Sequence, residues 1–549
     1  MRKIFKNNKV VLVSIWITGF AITFGAGVQA QTKPAPRYNI LWLVAEDISP
    51  YLPSYGDSTA KTPNLDRLVR EGVRFTNVFS VSGVCAPSRS CLITGMYPTS
   101  IGTNNMRTLN PYPNIGLPKY SVVLPPEVKM LSELMRRAGY YCTNNNKQDY
   151  QFVAPLSGWN ESSLKAHWRN RPPGKPFFSV VNFEVTHESQ IWARKNDPLL
   201  VDPAKVKLPP YYPESPIIRR DLARMYSNIM EMDEEVGEKL KELEENGLLD
   251  STIIVWYTDN GGPIPRGKRE IYDTGLHVPM IIRYPNKKFA GTVNADLVSF
   301  VDFAPTTLSL ANIKIPSYLQ GQAFAGASKA VSPRKYIYAA RDRMDSEYDM
   351  VRAVRDERFK YIKNFQPEKP YIQNIAYRKQ MDLMNELLRF EKEGKLEGVQ
   401  QLWFRKTKDK EELFDTQNDP FELKNLATDP FYASKLKELR GALEKWMVHT
   451  KDKGFITEKD WVASIWPNMI QPVTQKPRLK SVAGLITLTS QTPGASVSYK
   501  MLNETSNVRP GEWELYSGPV RMNKGQKIIA VAERIGYKSS DQIEFTYNN

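Results

Sequence analysis

Tyr38-Asn39-Ile40-Leu41-Trp42-Leu43-Val44 is a continuous apolar run, and it closes on the acidic pair Glu46-Asp47. A run of this kind suits a strand buried on both faces of a parallel sheet. Carboxylates just past the C-terminal end of such a strand mark a site. Working outward, similar runs at 177–183 (FFSVVNF), 252–257 (TIIVWY) and 278–282 (VPMII) predict further buried strands. Helices are predicted over 63–71, 130–138 and 217–245, closed by Gly72, Gly139 and Gly247. Strands alternating with helices predict an α/β fold in which helices sandwich a mixed, mostly parallel central sheet. Polar site residues then belong on the loops at the strand ends.

The 549 residues exceed one ordinary core, and 41% hydrophobic residues argue for folded structure rather than disorder. Residues 1–30 carry Arg2, Lys3, Lys6 and Lys9, then an apolar stretch, then Val28-Gln29-Ala30, the pattern of a cleaved signal peptide rather than a membrane anchor. The protein is therefore expected to be exported, periplasmic or secreted, with no stable membrane anchor. Net charge is +16, which suits a polyanionic partner. No nucleic-acid motif is recognisable and export is expected, so a sulfated polysaccharide fits better than nucleic acid. Three cysteines, Cys85, Cys91 and Cys142, are too few for a disulfide scaffold. With Cys85 set aside, only one pairing remains.

The catalytic α/β domain is read over 31–330. Shorter strands at 336–340, 350–355 and 359–364 and a helix near 433–448 predict a smaller α+β subdomain over 331–470. From 471 to 549 the helix signals stop, and short alternating segments such as LITLTS, SVSYKM and KIIAVAE lie between turn residues. This predicts an accessory β-sandwich. Its strings resemble the small C-terminal domain of chitobiase-like and other glycan-active enzymes.

Cys85-Ala86-Pro87-Ser88-Arg89, followed by Thr94-Gly95, is the signal for oxidation of a cysteine to formylglycine. Together with NILWLVAEDIS, TPNLDRLVREGVRFTNVF, GYYCTNNNKQDY, NFEVTHES, DNGG and RGKREIYDTGLHVP, in that order, it makes residues 38–450 resemble the type I sulfatase family of the alkaline phosphatase superfamily. The chain resembles bacterial glycan sulfatases, including heparan N-sulfatase-like proteins. The resemblance implies that a formylglycine-generating maturation enzyme converts Cys85. One hydroxyl of the aldehyde hydrate would attack sulfur, and the other would later expel sulfate. It also implies one Ca2+, held by Glu46, Asp47, Asp259, Asn260 and residue 85, in keeping with the preference of calcium for oxygen ligands. Arg89, one helical turn after Cys85, is expected to hold the hydrate. Lys147 and Lys268 are expected to bind sulfate, and His187 to protonate the leaving oxygen. Arg266 and Arg269 are expected to be solvated or to meet other anionic groups.

Two departures from the family pattern stand out. Glu46 replaces an aspartate, and Asp149 replaces the histidine that assists the last step, with Asn146 where a glycine is usual. Asp149 can accept a proton or only shape the site. His277 reads as structural or peripheral, and His167 and His449 as surface residues. Asn104, Asn105 and Arg107, just beyond the nucleophile, are candidate sugar contacts. The expected activity is hydrolysis of sulfate esters or N-sulfate on a sulfated polysaccharide or its oligosaccharides. The alternatives are a phosphomonoester or phosphonate hydrolase of the same superfamily, and a noncatalytic sulfated-glycan binder in which Cys85 stays a small buried hydrophobe.

Overall fold

The computed structural model describes residues 37–502 and 513–548; the leader read at residues 1–30 lies outside the described residues. At its centre are β1 (Asn39–Ala45), β2 (Val73–Phe79), β3 (Tyr141–Asn145), β4 (Glu161–Ser162), β5 (Phe177–Phe183), β6 (Thr252–Thr258), β7 (His277–Arg283), β8 (Thr292–Asn294) and β9 (Val298–Ser299). They form one sheet in the order β4-β3-β5-β1-β6-β7-β2-β8, with β9 also pairing β2. β7 runs antiparallel to both its neighbours and every other pairing is parallel. The sheet is thus mixed and mostly parallel.

Alternation along β1 explains why its sequence is apolar throughout. Ile40, Trp42 and Val44 enter the core on one face, with Leu92 and Ile93 of the helix Cys85–Thr94 and with Phe303 and Leu308. Leu41, Leu43 and Ala45 enter the core on the other, with Leu65 and Leu68 of the helix Pro63–Glu71 and with Leu222, Met225 and Ile229 of the helix Pro216–Glu245. Both faces are covered, so no polar alternation is tolerated. The long helix starts where the Ser215 hydroxyl accepts the Ile217 amide, and just past its end Gly247 takes a φ of 63°.

Five strands of this sheet, β2, β3, β4, β8 and β9, lie outside the apolar runs read from the sequence. β3 reads YCTNN, and its last residues point at polar neighbours: Asn182 Nδ2 donates to Asn144 Oδ1 at 3.2 Å. β2 is interrupted by a register shift between Phe75 and Val78.

A second, antiparallel sheet is built from β10 (Ile337–Met344), β11 (Glu347–Arg355), β12 (Phe359–Asn364) and β13 (Glu411–Asp415). Two further sheets follow beyond residue 477 and share one core, in which Ile486, Leu488 and Met522 meet Val497, Ile528 and Ala530. Gly494 and Gly536 let this C-terminal part approach the main body closely: a Cβ on either would stand 2.6 Å from Pro126 Cα and 2.5 Å from Val123 Cα, respectively.

Glu412 on β13 gives the fold a pH dependence. It is buried, accepts Asn364 Nδ2 at 2.6 Å and the Tyr272 hydroxyl at 3.2 Å, and burial raises its carboxyl to about 7. The folded state therefore holds this proton more tightly than the unfolded chain, whose glutamates titrate near 4.3, so the group costs stability as pH rises from about 4.3 to 7. Glu412→Gln keeps both hydrogen-bond positions and removes that cost, on the order of 3 kcal/mol. Its melting temperature relative to the parent should climb between pH 5 and pH 8. A difference that does not change with pH would contradict this account.

Candidate active site

The register brings three strand ends together. Ala45 of β1 lies between Phe183 of β5 and Thr258 of β6, so Glu46-Asp47, the segment from Glu184 to Glu188, and Asp259-Asn260 leave the sheet side by side. Asp47 turns with a φ of 54°, a left-handed conformation that aspartate tolerates. Cys85 opens the helix above them and is 3% exposed.

Arg89, one turn into that helix, ties the strand ends to each other. Its Nε donates to Asp259 Oδ2 at 2.8 Å, Nη1 to Asn182 Oδ1 at 2.7 Å and Nη2 to Glu46 Oε1 at 3.3 Å. All three guanidinium nitrogens are thus occupied by the scaffold. Lys147 Nζ donates to Glu46 Oε2 at 2.7 Å. Lys268 Nζ lies 2.8 and 2.6 Å from the two Asp47 oxygens and 3.5 Å from Glu188. The neighbouring carboxylates raise the pKa of both ammonium groups despite burial. Burial in turn raises Glu46 to about 7, against the lowering by Lys147.

His187 projects from the loop after β5. Its Nδ1 sits 2.8 Å from the Ser189 hydroxyl and accepts the Ser189 amide at 3.3 Å, while Nε2 lies 3.9 Å from Glu46 Oε2. Acceptance at Nδ1 assigns the neutral ring's proton to Nε2, on the side of the carboxylates. Burial, with Lys268 and Lys147 nearby, depresses the ring's pKa to about 2. The Cys85 thiol is pushed up by burial and then by Asp149, and pulled down by Lys268 and Lys147. These groups therefore act electrostatically on residue 85.

Asn260 supplies the observation that bears on a metal. Its Nδ2 donates to Asp47 Oδ1 at 2.9 Å and to the Gly261 carbonyl at 2.8 Å, which fixes the amide's orientation and leaves Oδ1 buried with no hydrogen-bond partner. A buried acceptor without a donor is costly. Next to three buried carboxylates it completes the hard-oxygen set that a divalent cation such as calcium takes. Among the described residues no three His, Cys, Asp or Glu side chains form a ready cage; the carboxylates here are ion-paired to Lys147, Lys268 and Arg89 instead.

The predicted sugar contacts divide. Asn104 and Asn105 are 7% and 6% exposed and serve the scaffold: Asn104 Nδ2 donates to Asp342 Oδ2 at 2.8 Å, and Asn105 Oδ1 accepts the Arg343 amide at 3.2 Å. Arg107 is half-buried, pairs with Asp345 at 2.5 Å and lies over the Tyr377 ring at 5.1 Å. Arg269 is buried rather than solvated. It grips Glu188 with two bonds of 2.8 and 2.7 Å and Asp345 with a third of 3.0 Å. Arg266, also buried, lies between the rings of Tyr211 and Tyr272. His277 is stacked on Phe79 and bonded to the Thr76 carbonyl. His449 is exposed, and His167 keeps a partly exposed side chain, its Nε2 2.6 Å from Glu242 and its Nδ1 accepting the Arg169 amide. Cys91 and Cys142 are buried free thiols.

Glu188, Asn182 and Tyr377 were not legible as site residues. Glu188 directly follows His187, yet a surface glutamate after a strand looks the same in sequence. Glu188→Gln removes the charge that holds Arg269 and Lys268, and breaking a buried pair of this kind costs about 3–5 kcal/mol. Urea unfolding should register a loss of that order, and an unchanged midpoint would refute the assignment.

Comparison with known proteins places this geometry. Residues 38–172 and 161–313 match the model of the Sulfatase family, and residues 266–389 that of the N-sulphoglucosamine sulphohydrolase C-terminal region. An ulvan-active sulfatase of Formosa agariphila is 45% identical over 99% of this chain and 98% of its own. Human N-sulphoglucosamine sulphohydrolase is 28% identical over 76% of this chain and 91% of its own. Among solved structures, a complex with its substrate D-glucosamine-2-N,6-O-disulfate superposes with a TM-score of 0.56 at 20% identity, covering 76% of this chain and 98% of that one. A phosphonate monoester hydrolase from Silicibacter pomeroyi gives 0.56 at 19%, covering 76% and 97%. At such identities these two share the fold alone.

Proposed function

The chain belongs to the sulfatase family and is a sulfuric ester hydrolase, and from that premise we propose that it removes sulfate from a sulfated glycan of the ulvan kind, using formylglycine at residue 85 and one bound Ca2+. The observation that carries this reading is the 45% identity to the ulvan-active sulfatase across nearly the whole of both chains. We further propose export to the periplasm or medium, with residues 31–330 as the catalytic domain, 331–470 as its C-terminal subdomain and 471–549 as an accessory sandwich. Among the described residues no helix is long and apolar enough to cross a membrane.

Calcium would be held by Glu46, Asp47, Asp259 and Asn260 together with residue 85, and when bound it supplies positive charge against a sulfate oxygen. The formylglycine hydrate supplies a nucleophilic oxygen that a thiol lacks. The other steps belong to the chain's own side chains. Lys147 and Lys268 present ammonium groups beside residue 85 and hold the anionic oxygens of the substrate, at the cost of loosening their present pairs with Glu46 and Asp47. Arg89, saturated by Asp259, Asn182 and Glu46, positions the helix that carries residue 85 and keeps the strand-end carboxylates in place. His187, charged as the imidazolium when the anionic substrate is in place, with Nδ1–H donating to the Ser189 hydroxyl, gives its Nε2 proton to the departing sugar oxygen, a poor leaving group without it, and returns to the neutral ring. Asp149, whose charge raises the pKa of the side chain at 85, is the acceptor for a proton leaving that side chain.

Mass spectrometry of the peptide containing Cys85 from the native host should show the aldehyde, and Cys85→Ala should abolish turnover of ulvan oligosaccharides. An unmodified thiol without turnover would favour the noncatalytic binder. Phosphonate or phosphate cleavage exceeding that of every sulfate tried, N-sulfated glucosamine included, would sink the sulfatase reading. His187→Ala should lower kcat on sugar sulfates by about 10²–10⁴-fold and far less on aryl sulfates, whose leaving group needs no proton. Equal losses on both would remove His187 from that role. Calcium should raise the melting temperature of the parent protein, and Asn260→Leu should erase the rise. A calcium shift that survives the substitution would exclude Asn260 from the ligand set.

A further inference from the structure

A cavity of about 500 Å³ opens where the C-terminal part meets the main body. Its walls come from five separated stretches: the chain just after the helix Cys85–Thr94, the loop near Glu127, Gln320, the segment from His449 to Ile465, and Arg534 with Tyr537. Cys85 begins that helix and Met96, which lines the cavity, lies just past its end. Ten helical residues span about 15 Å, so the cavity is separate from the catalytic centre. Its size is that of a small-ligand site.

The lining is aromatic and cationic. Lys453 Nζ lies 5.6 Å from the centre of the Trp461 ring, and the Arg534 guanidinium 4.7 Å from that of Tyr537. Lys451, Lys453 and Arg534 pair with no carboxylate among the described residues, and Arg534 Nε is buried without an acceptor. Glu127 is the one acid on the wall. Arg352, elsewhere in the fold, is matched by Asp342 and Asp452. Among the described residues no carboxylate plays that part for the three cations here. Trp461 is held firmly in position, because its ring lies against Gly102 so closely that a Cβ there would stand 2.3 Å from it. A flat ring for the apolar face of a sugar, bordered by unpaired cations for its anionic groups, is the recognition chemistry of an acidic oligosaccharide.

From these features we infer that the cavity is a second, noncatalytic binding site for a sulfated polysaccharide chain, which holds the polymer on the enzyme while the catalytic centre acts on another part of it. The inference rests on the sulfated-glycan reading above. Lys451 is exposed and Lys453 half-buried, neither is held in an ion pair among the described residues, and neither belongs to the catalytic machinery. Affinity electrophoresis of the full chain in ulvan, beside a desulfated ulvan control, should show retardation by the sulfated polymer. Lys451→Glu/Lys453→Glu should weaken it about tenfold, and Lys451→Gln/Lys453→Gln by a smaller factor. Hydrolysis of 4-methylumbelliferyl sulfate should stay within twofold of the parent, while KM on polymeric ulvan rises. Polymer binding unchanged in both variants, or retardation equal in desulfated polymer, overturns the inference. A parent protein that is retarded by ulvan but hydrolyses no sulfate leaves the second site standing and refutes the catalytic reading alone.

Discussion

Burying Glu46, Asp47 and Asp259 at adjacent strand ends is the constraint around which the site is organised. Three carboxylates with no solvent exposure beyond 1% repel one another and lose hydration, a cost that is bearable only if cations come with them. Arg89 answers for Glu46 and Asp259, Lys147 for Glu46 and Lys268 for Asp47. Each comes from a different segment, so the demand for charge balance assembles the helix start, the loop after β3 and the loop after β6 in one place. Position 85, the proposed nucleophile, then lies within the reach of Lys268 and Lys147 as well as of Asp149 and Asp259.

Around that centre lies a second ring with the same logic. Glu188 and Asp345 sit between Arg269, Lys268 and Arg107. This links the loop after β5 to the second sheet through Asp345, just past the end of β10. The sheet that carries the carboxylates and the smaller sheet are therefore joined at the rim of the site by ion pairs, and Asn104 and Asn105 take part in that joint through Asp342 and Arg343. Both side chains are buried in that joint. The cations of the cavity beside Trp461 lie outside this network of ion pairs and line an open space instead.

Much of the fold was legible because burial on both faces leaves a continuous apolar run. β1, β5, β6 and β7 all carry one. β3 does not, since its polar end feeds the site, and β2 is masked by its register shift. In the site, residues with spaced motifs around them, such as Cys85, Arg89, His187 and the pair Asp259-Asn260, could be named in advance. Glu188, Asn182 and Tyr377 could not. Their significance comes from what they touch, and a glutamate that anchors a buried arginine has the same letter as one in solvent.

The sequence by itself determined the strand and helix pattern, the nucleophile signal and the acid-rich strand ends, because these depend on residue type and short spacing. Only the tertiary structure decided which cation serves which carboxylate, that Asn260 Oδ1 is left without a partner, and that Arg534 shares a cavity with Lys451 and Lys453, more than eighty residues before it in the chain. Those outcomes depend on distances across the fold. Electrostatic pairing acts through space and with a strength set by burial, and neither quantity is written in the order of residues.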